Sequence, residues 1–303
     1  MDLIDQVNSD YLLITNNSCK SRNSDRAVEI KFHNIINPSS DVMRKAFLDS
    51  GDIIFEKVCG YQSIIIIGNL ASRFGAAILP ILAKMLRKKT KLEIVCVVIL
   101  PFSFEKEKLF RCGVSLSLLG KYIDNIMVID NDAVIRNNLE LPLDEHLKVT
   151  NQAICDIITE SLNKTFPLKF NLISTSGIKN PKIKDAFIET FSSLTEKISL
   201  SEIEKYSLYL YQPNESISVI KNVVESSSNL LPTAQRDLNL MLHKQGQPRC
   251  HIVAKTDPSV ISLYDPLNFL IPKNNVLDFE PEIAMDEAVK LNHVKDLESS
   301  LPA

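Results

Sequence analysis

The chain is 303 residues long, 45% hydrophobic and 23% charged, with a net charge of −3, the balance of a soluble protein with room for one large or two medium cores. Both signs of charge are mixed along it, which excludes the basic footprint of a nucleic-acid binder, and no apolar run reaches the roughly 20 residues that span a bilayer. Six cysteines without a CxxC pair and five dispersed histidines without an HExxH pair offer no zinc, redox or other metal motif, and the acidic start MDLIDQVNSDYLLIT lacks a charged-then-apolar leader, so the expected location is the cytoplasm.

In chain order, the predicted strands are Tyr11–Thr15, Val28–Phe32, Ser63–Ile67, Leu92–Leu100 and Asn125–Ile129. Helical patterns alternate with them. NPSSD at 37–41 is a helix-start signal, GAAILPILAKMLRKK follows the strand at 63–67, and EKEKLFRCGVSLSLLGKY precedes the last strand. The near-continuous apolar runs IIIIG and IVCVVIL predict burial on both faces, so residues 1–142 are expected to form an α/β, doubly wound, mostly parallel sheet. A long helix over 143–164 carries Leu143, Leu147, Ile154, Ile157, Ile158 and Leu162 at helical spacing. Beyond it the order of elements predicts a smaller α+β domain over 165–256, and 257–303 is a tail with an acidic helix, PEIAMDEAVKLNHVKDLESSL.

IIIIGNLASRFGAAILPIL, residues 64–82, is a strand feeding a helix through a short turn, the place where nucleotide-binding folds carry a phosphate loop. Such loops are rich in glycine, and this one has only Gly68 and Gly75.

From Pro101 the chain reads PFSFEKEKLFRCGVSLSLLGKYIDNIMVIDNDAVI, and here it resembles the FtsZ/tubulin superfamily of polymerising GTPases. PFSFE, KYID and VIDND stand in the order and near the spacing of the family's PFSFE-type segment, its KYVD-type strand and its PND turn. GAAILPILAKML is similar to the family's TGAAPVIAEIAKE helix, which sets GNLASRF in the slot of the GGGTGTG signature. YLLITNN, NPSSDVMRKAFLDS and LPLDEHLKVTNQAICDII are similar to further family segments, so the likeness spans roughly Tyr11 to Lys255.

The resemblance implies that Glu105, Asn131 and Asn151 stand where the family holds the base and sugar of GTP, and that Gly68, Ser72, Arg73 and Gly75 stand at its phosphates. Carboxylate and amide groups suit a guanine edge or a ribose hydroxyl, a helix start capped by Ser72 offers N–H groups to an anion, and Arg73 offers a point contact. Each of these residues equally suits a structural surface, turn or helix position. No strand–Gly-rich loop–helix unit precedes YLLITNN, and PLKFNLISTSGIKN, in the place of the family's catalytic loop, has no carboxylate to orient water, although Asn171 retains an amide. The expectation is a divergent FtsZ/tubulin-like protein without GTP hydrolysis or catalytic residues, a structural or regulatory module in cell division, cytoskeleton or membrane remodelling. Its partners are then proteins: itself, a related FtsZ-like chain or a membrane-anchor protein. A second reading keeps weak GTP or GDP binding, and a third, a Rossmann-like small-molecule enzyme, lacks any G-x-G-x-x-G after a strand.

Overall fold

The computed structural model describes residues 9–16, 26–32, 38–89, 92–102, 104–132, 142–161, 171–177, 180, 182–211, 216–241 and 247–257, all within the compact unit Met1–Leu267. Residues 162–170 and 258–303, where the acidic tail helix is expected from sequence, lie outside the described residues.

The elements are β1 (Leu13–Thr15), β2 (Ala27–Glu29), α1 (Ser40–Asp49), α2 (Gly51–Val58), β3 (Ser63–Asn69), α3 (Arg73–Lys89), β4 (Glu93–Leu100), α4 (Lys106–Leu119) and β5 (Asn125–Asp130). They continue with α5 (Leu143–Ser161), β6 (Asn171–Thr175), α6 (Ile183–Thr195), β7 (Lys205–Tyr211), α7 (Ile217–Leu230), β8 (Gln235–Met241) and β9 (Arg249–Lys255). The NPSSD signal acts as predicted, because the Ser39 hydroxyl accepts the Val42 amide at 3.4 Å and opens α1.

Among the described residues, seven strands form one sheet in the order β3-β4-β5-β6-β9-β7-β8. β3 to β6 are parallel, and only β9 runs against its two neighbours. β5 pairs with β6 from Met127↔Asn171 to Ile129↔Ile173, so backbone hydrogen bonds join the strands before α5 to those after it. β4 and β5 are buried along nearly their whole length, as strands in the interior of a covered parallel sheet must be.

Two expectations are corrected at the other edge. β1 and β2 pair with each other as a separate two-stranded parallel ribbon, not with the main sheet. Among the described residues β3 is therefore an edge strand. Its apolar run is not buried on both faces: Ile66 is covered, while Ile67 is 37% exposed, because β4 is the only strand paired with β3 among the described residues.

The core over this sheet is shared by its two halves. Val95, Val97 and Ile99 of β4 and Met127 and Ile129 of β5 pack with Ala153, Ile154, Ile157 and Ile158 of α5, and the same cluster takes in Tyr209, Tyr211 and Val253. The first two members of the predicted α5 stripe behave differently, since Leu143 and Leu147 are exposed. Thr150 already touches the residue that follows β5, so the turns before it project beyond the strand ends.

Pro80 sits inside α3 and cannot donate to the carbonyl one turn back, that of Ala76. The Ser115 hydroxyl of α4 supplies the missing donor, reaching the Ala76 oxygen at 2.8 Å. A proline that ordinarily breaks a helix is thereby kept within a buried one.

Candidate functional site

The turn between β3 and α3 is closed by its own side-chain hydrogen bonds. The Asn69 side chain accepts the Ala71 amide at 2.8 Å, forming an Asx turn, and the Leu70 amide goes to the Ile99 carbonyl at 2.9 Å. The Ser72 hydroxyl accepts the Gly75 amide at 2.9 Å and donates to the Asn69 carbonyl at 2.9 Å, so Ser72 is the N-cap of α3, as its place in the sequence predicts. Leu70 is 0% exposed and fills the space under the turn. Amides that an anion cradle would present are thus already engaged at Ala71 and Gly75.

The two glycines are explained by close approach. A Cβ on Gly68 would lie 2.1 Å from Leu79 Cδ1, and one on Gly75 would lie 2.2 Å from the Asn69 carbonyl oxygen. Neither backbone adopts the left-handed conformation for which phosphate-loop glycines are selected, so what they provide is room for α3 to pack against β3. Arg73, the first residue of α3, is exposed, and the neighbouring Phe74 meets Phe32 edge-on at 6.4 Å.

Glu105 precedes α4 and is held locally. Its carboxylate accepts the Phe102 amide at 3.2 Å and pairs with Lys108. Beside it Phe104, 66% exposed, stacks flat on the buried Phe102 with ring centroids 5.1 Å apart. One turn into α4, Arg111 reaches the Ala71 carbonyl at 3.5 Å and links this helix to the β3–α3 turn.

Asn131, at the end of β5, is 4% exposed. Its amide donates to the Leu100 carbonyl at 3.0 Å, and its oxygen accepts the Thr150 hydroxyl at 2.9 Å. The side chain ties the ends of β4 and β5 to α5. Asn151, the next residue on α5, is half-buried. Asp130 accepts the Asp132 amide at 2.9 Å and pairs with Lys197, beyond α6, at 2.8 Å.

The structure therefore gathers Glu105, Asn131 and Asn151 with the 69–75 turn around the C-terminal ends of β3, β4 and β5, and most of these groups are occupied by the protein itself. Asn171 does not sit on an exposed loop: it opens β6, fully buried, with its amide 3.4 Å from the Asn125 oxygen. Thr150 escaped the sequence reading, because a helical threonine carries no local signal. A cavity of about 80 Å³, lined by Arg87, Glu93, Ile94, Tyr122, Ile123, Asp124 and Asn125, lies at the opposite ends of β4 and β5. Among the described residues no group of three or more His, Cys, Asp or Glu side chains is placed to hold a metal, and no helix is long and apolar enough to cross a membrane.

The sequence matches the family described as Tubulin/FtsZ family, GTPase domain, over residues 8–138. No curated protein matches it. The fold is similar to that of CetZ from Methanosaeta thermophila, with a TM-score of 0.64 at 16% identity over 96% of this chain and 91% of that one. It is also similar to the empty FtsZ dimer of M. jannaschii (TM-score 0.59, 17% identity, 73% of this chain and 71% of that one). The GTPγS-bound protofilament of Haloferax volcanii CetZ2 gives a TM-score of 0.56 at 14% identity over 79% and 82%. Residues 8–138 thus match a domain of the Tubulin/FtsZ family, and the fold around them is one shared with proteins of the FtsZ/tubulin superfamily.

Proposed function

We propose that this chain is a non-hydrolysing member of that superfamily, a cytoplasmic structural or regulatory protein that associates with copies of itself, in cell division, cytoskeletal or membrane-remodelling work. One observation carries the reading: the β3–α3 turn is filled by Leu70 and closed by its own Asn69 and Ser72 hydrogen bonds. Phosphate stabilisation in transfer chemistry depends on converging donors that are free before the substrate arrives. Here the Leu70, Ala71, Ser72 and Gly75 amides are used.

Self-association is supported by the assemblies of the similar proteins, a dimer in FtsZ and a protofilament in CetZ2. The exposed Phe104, Leu143 and Leu147, all at the C-terminal ends of the strands, add apolar surface suited to a protein contact. The partition into a GTPase-like domain (1–142), a connecting helix (143–164), an α+β domain (165–256) and a tail belongs to the same proposal.

The test is GTP turnover by the purified chain with assembly followed by sedimentation. Background-level phosphate release and nucleotide-independent sedimentation are expected; turnover abolished by Arg73→Ala or Glu105→Ala overturns the reading. A second reading, weak GTP or GDP binding through Glu105, Asn131 and Asn151 with Gly68, Ser72, Arg73 and Gly75 at the phosphates, is favoured by the gathering of these residues at one end of the sheet. Calorimetric titration to millimolar nucleotide decides it, and a flat titration removes it.

A further inference from the structure

A second buried polar chain lies along α5 from the candidate site. Asp156 is six residues past Thr150, about 9 Å farther along the helix axis. Its Oδ1 accepts the Gln152 amide at 2.8 Å, and its Oδ2 takes both the Arg249 Nε at 3.2 Å and the His251 Nε2 at 3.0 Å. On the far side of the imidazole, His251 Nδ1 meets the Thr175 hydroxyl at 2.8 Å, and that hydroxyl also reaches the Ser176 carbonyl at 3.2 Å. Thr175 is 2% and His251 1% exposed, out of reach of any substrate, so the order hydroxyl–imidazole–carboxylate cannot act as a nucleophilic relay. What it does is join α5 to β6 and β9, where Thr175 and His251 are register partners.

We propose that Thr175, His251 and Asp156 form an acid-sensitive clasp that holds α5 on the β6–β9 strands while the imidazole is neutral. In the neutral form Nε2–H donates to Asp156, and Nδ1 accepts the Thr175 proton. When a proton arrives from solvent at Nδ1, that nitrogen becomes a donor to the Thr175 oxygen, and the hydroxyl turns its own proton to the Ser176 carbonyl. Every hydrogen bond has a partner in both forms. The electrostatics do not balance as well, because Oδ2 of Asp156 then faces two cations, the imidazolium and the half-buried Arg249. Arg249 is the one able to leave, since it lies at the start of β9, stacked 5.2 Å from the Tyr211 ring.

The titratable and charged groups around the imidazole come from each neighbouring element. α5 contributes Asp156, with Cys155 and Glu160 beyond it; β7 contributes Tyr211, whose ring lies 5.3 Å from the imidazole, and Tyr209, the register partner of His251. β9 contributes Arg249 and Cys250, and α6 contributes Glu189 beside Cys250. Burial pulls the His251 imidazole below its ordinary range and Arg249 adds to that, while Asp156 opposes both. A histidine depressed in the fold stabilises the neutral form, and that stability is lost as pH falls below about 6.5, where the unfolded chain takes the proton first. Burial pushes the Asp156 carboxyl up, but His251 and Arg249 outweigh it and hold the group below the ordinary carboxylate range, so its own loss comes only at lower pH.

The experiment is ring-¹⁵N NMR of the full chain across pH 7.5 to 5.0, with thermal melts of wild type and His251→Gln over the same range. The glutamine amide of this variant copies the neutral donor–acceptor pattern without titrating. The expected results are a His251 ring neutral and protonated at Nε2 at pH 7, and a wild-type melting temperature that falls on acidification by at least about 3 °C more than that of the variant. A charged His251 at pH 7, or parallel loss of stability in the two proteins, overturns the clasp. If the variant does not fold, the wild-type NMR titration decides alone, and an ordinary His251 titration near pH 6.5 refutes the proposal.

Discussion

Asn131 and Thr150 share a buried hydrogen bond of 2.9 Å, and the same asparagine holds the Leu100 carbonyl at 3.0 Å. One side chain thus closes the ends of two strands onto the long helix. Asn131→Ala leaves the Leu100 oxygen and the Thr150 hydroxyl without this partner, a loss expected at about 1–3 kcal/mol of unfolding free energy. Urea denaturation checks the magnitude. Thr150→Val, which deletes only one of the two bonds, should lose less.

Ser115 and Pro80 form a compensating pair across two helices. Ser115→Ala orphans the Ala76 carbonyl and is expected to destabilise by about 1–3 kcal/mol. Pro80→Ala restores a backbone donor to that same oxygen, so the double variant should recover most of the loss. A double-mutant cycle measured by denaturation tests the coupling, and additive single effects would refute it.

Gly68 and Gly75 should differ in how they tolerate a methyl group. Gly68→Ala meets the end of the Leu79 side chain, and overpacking of this kind costs about 1–3 kcal/mol, part of which Leu79→Ala relieves. Gly75→Ala meets the backbone oxygen of Asn69, which no side-chain change relieves. Melting temperatures of the three variants should rank accordingly, with Gly75→Ala lowest among the glycine substitutions.

Among the described cysteines, only Cys59 should react readily with a thiol reagent. Burial pushes the thiols of Cys96, Cys112 and Cys250 up to about 12 and that of Cys155 up to about 11, whereas Cys59 is exposed at the end of α2. Mass mapping after brief labelling of the native protein at pH 8 should find Cys59 modified and the four buried thiols protected. Unfolding in denaturant should release all of them.

The alternating elements, the α3 helix start at Ser72 and the buried character of β4 were legible because each depends on neighbours a few residues away. The likeness of PFSFE, KYID and VIDND to one family was legible for the same reason. The state of β3 was not. Four consecutive isoleucines look alike in an interior strand and an edge strand, and only the pairing of β1 with β2 leaves β3 at the edge among the described residues.

The sequence by itself determined that helices cover a parallel sheet, that a strand–turn–helix unit runs through residues 64–82, and that its turn is poor in glycine. Those properties follow from local periodicity, capping and composition. Tertiary structure decided what the residues of the turn and its surroundings do. Asn131 serves α5, Gly68 serves Leu79, Ser115 completes a proline-containing helix, and Asp156 meets His251 across 95 positions of chain. Such partners are chosen by how the sheet orders its strands and by the need to pair every buried polar group, and neither is written in the spacing of a single segment.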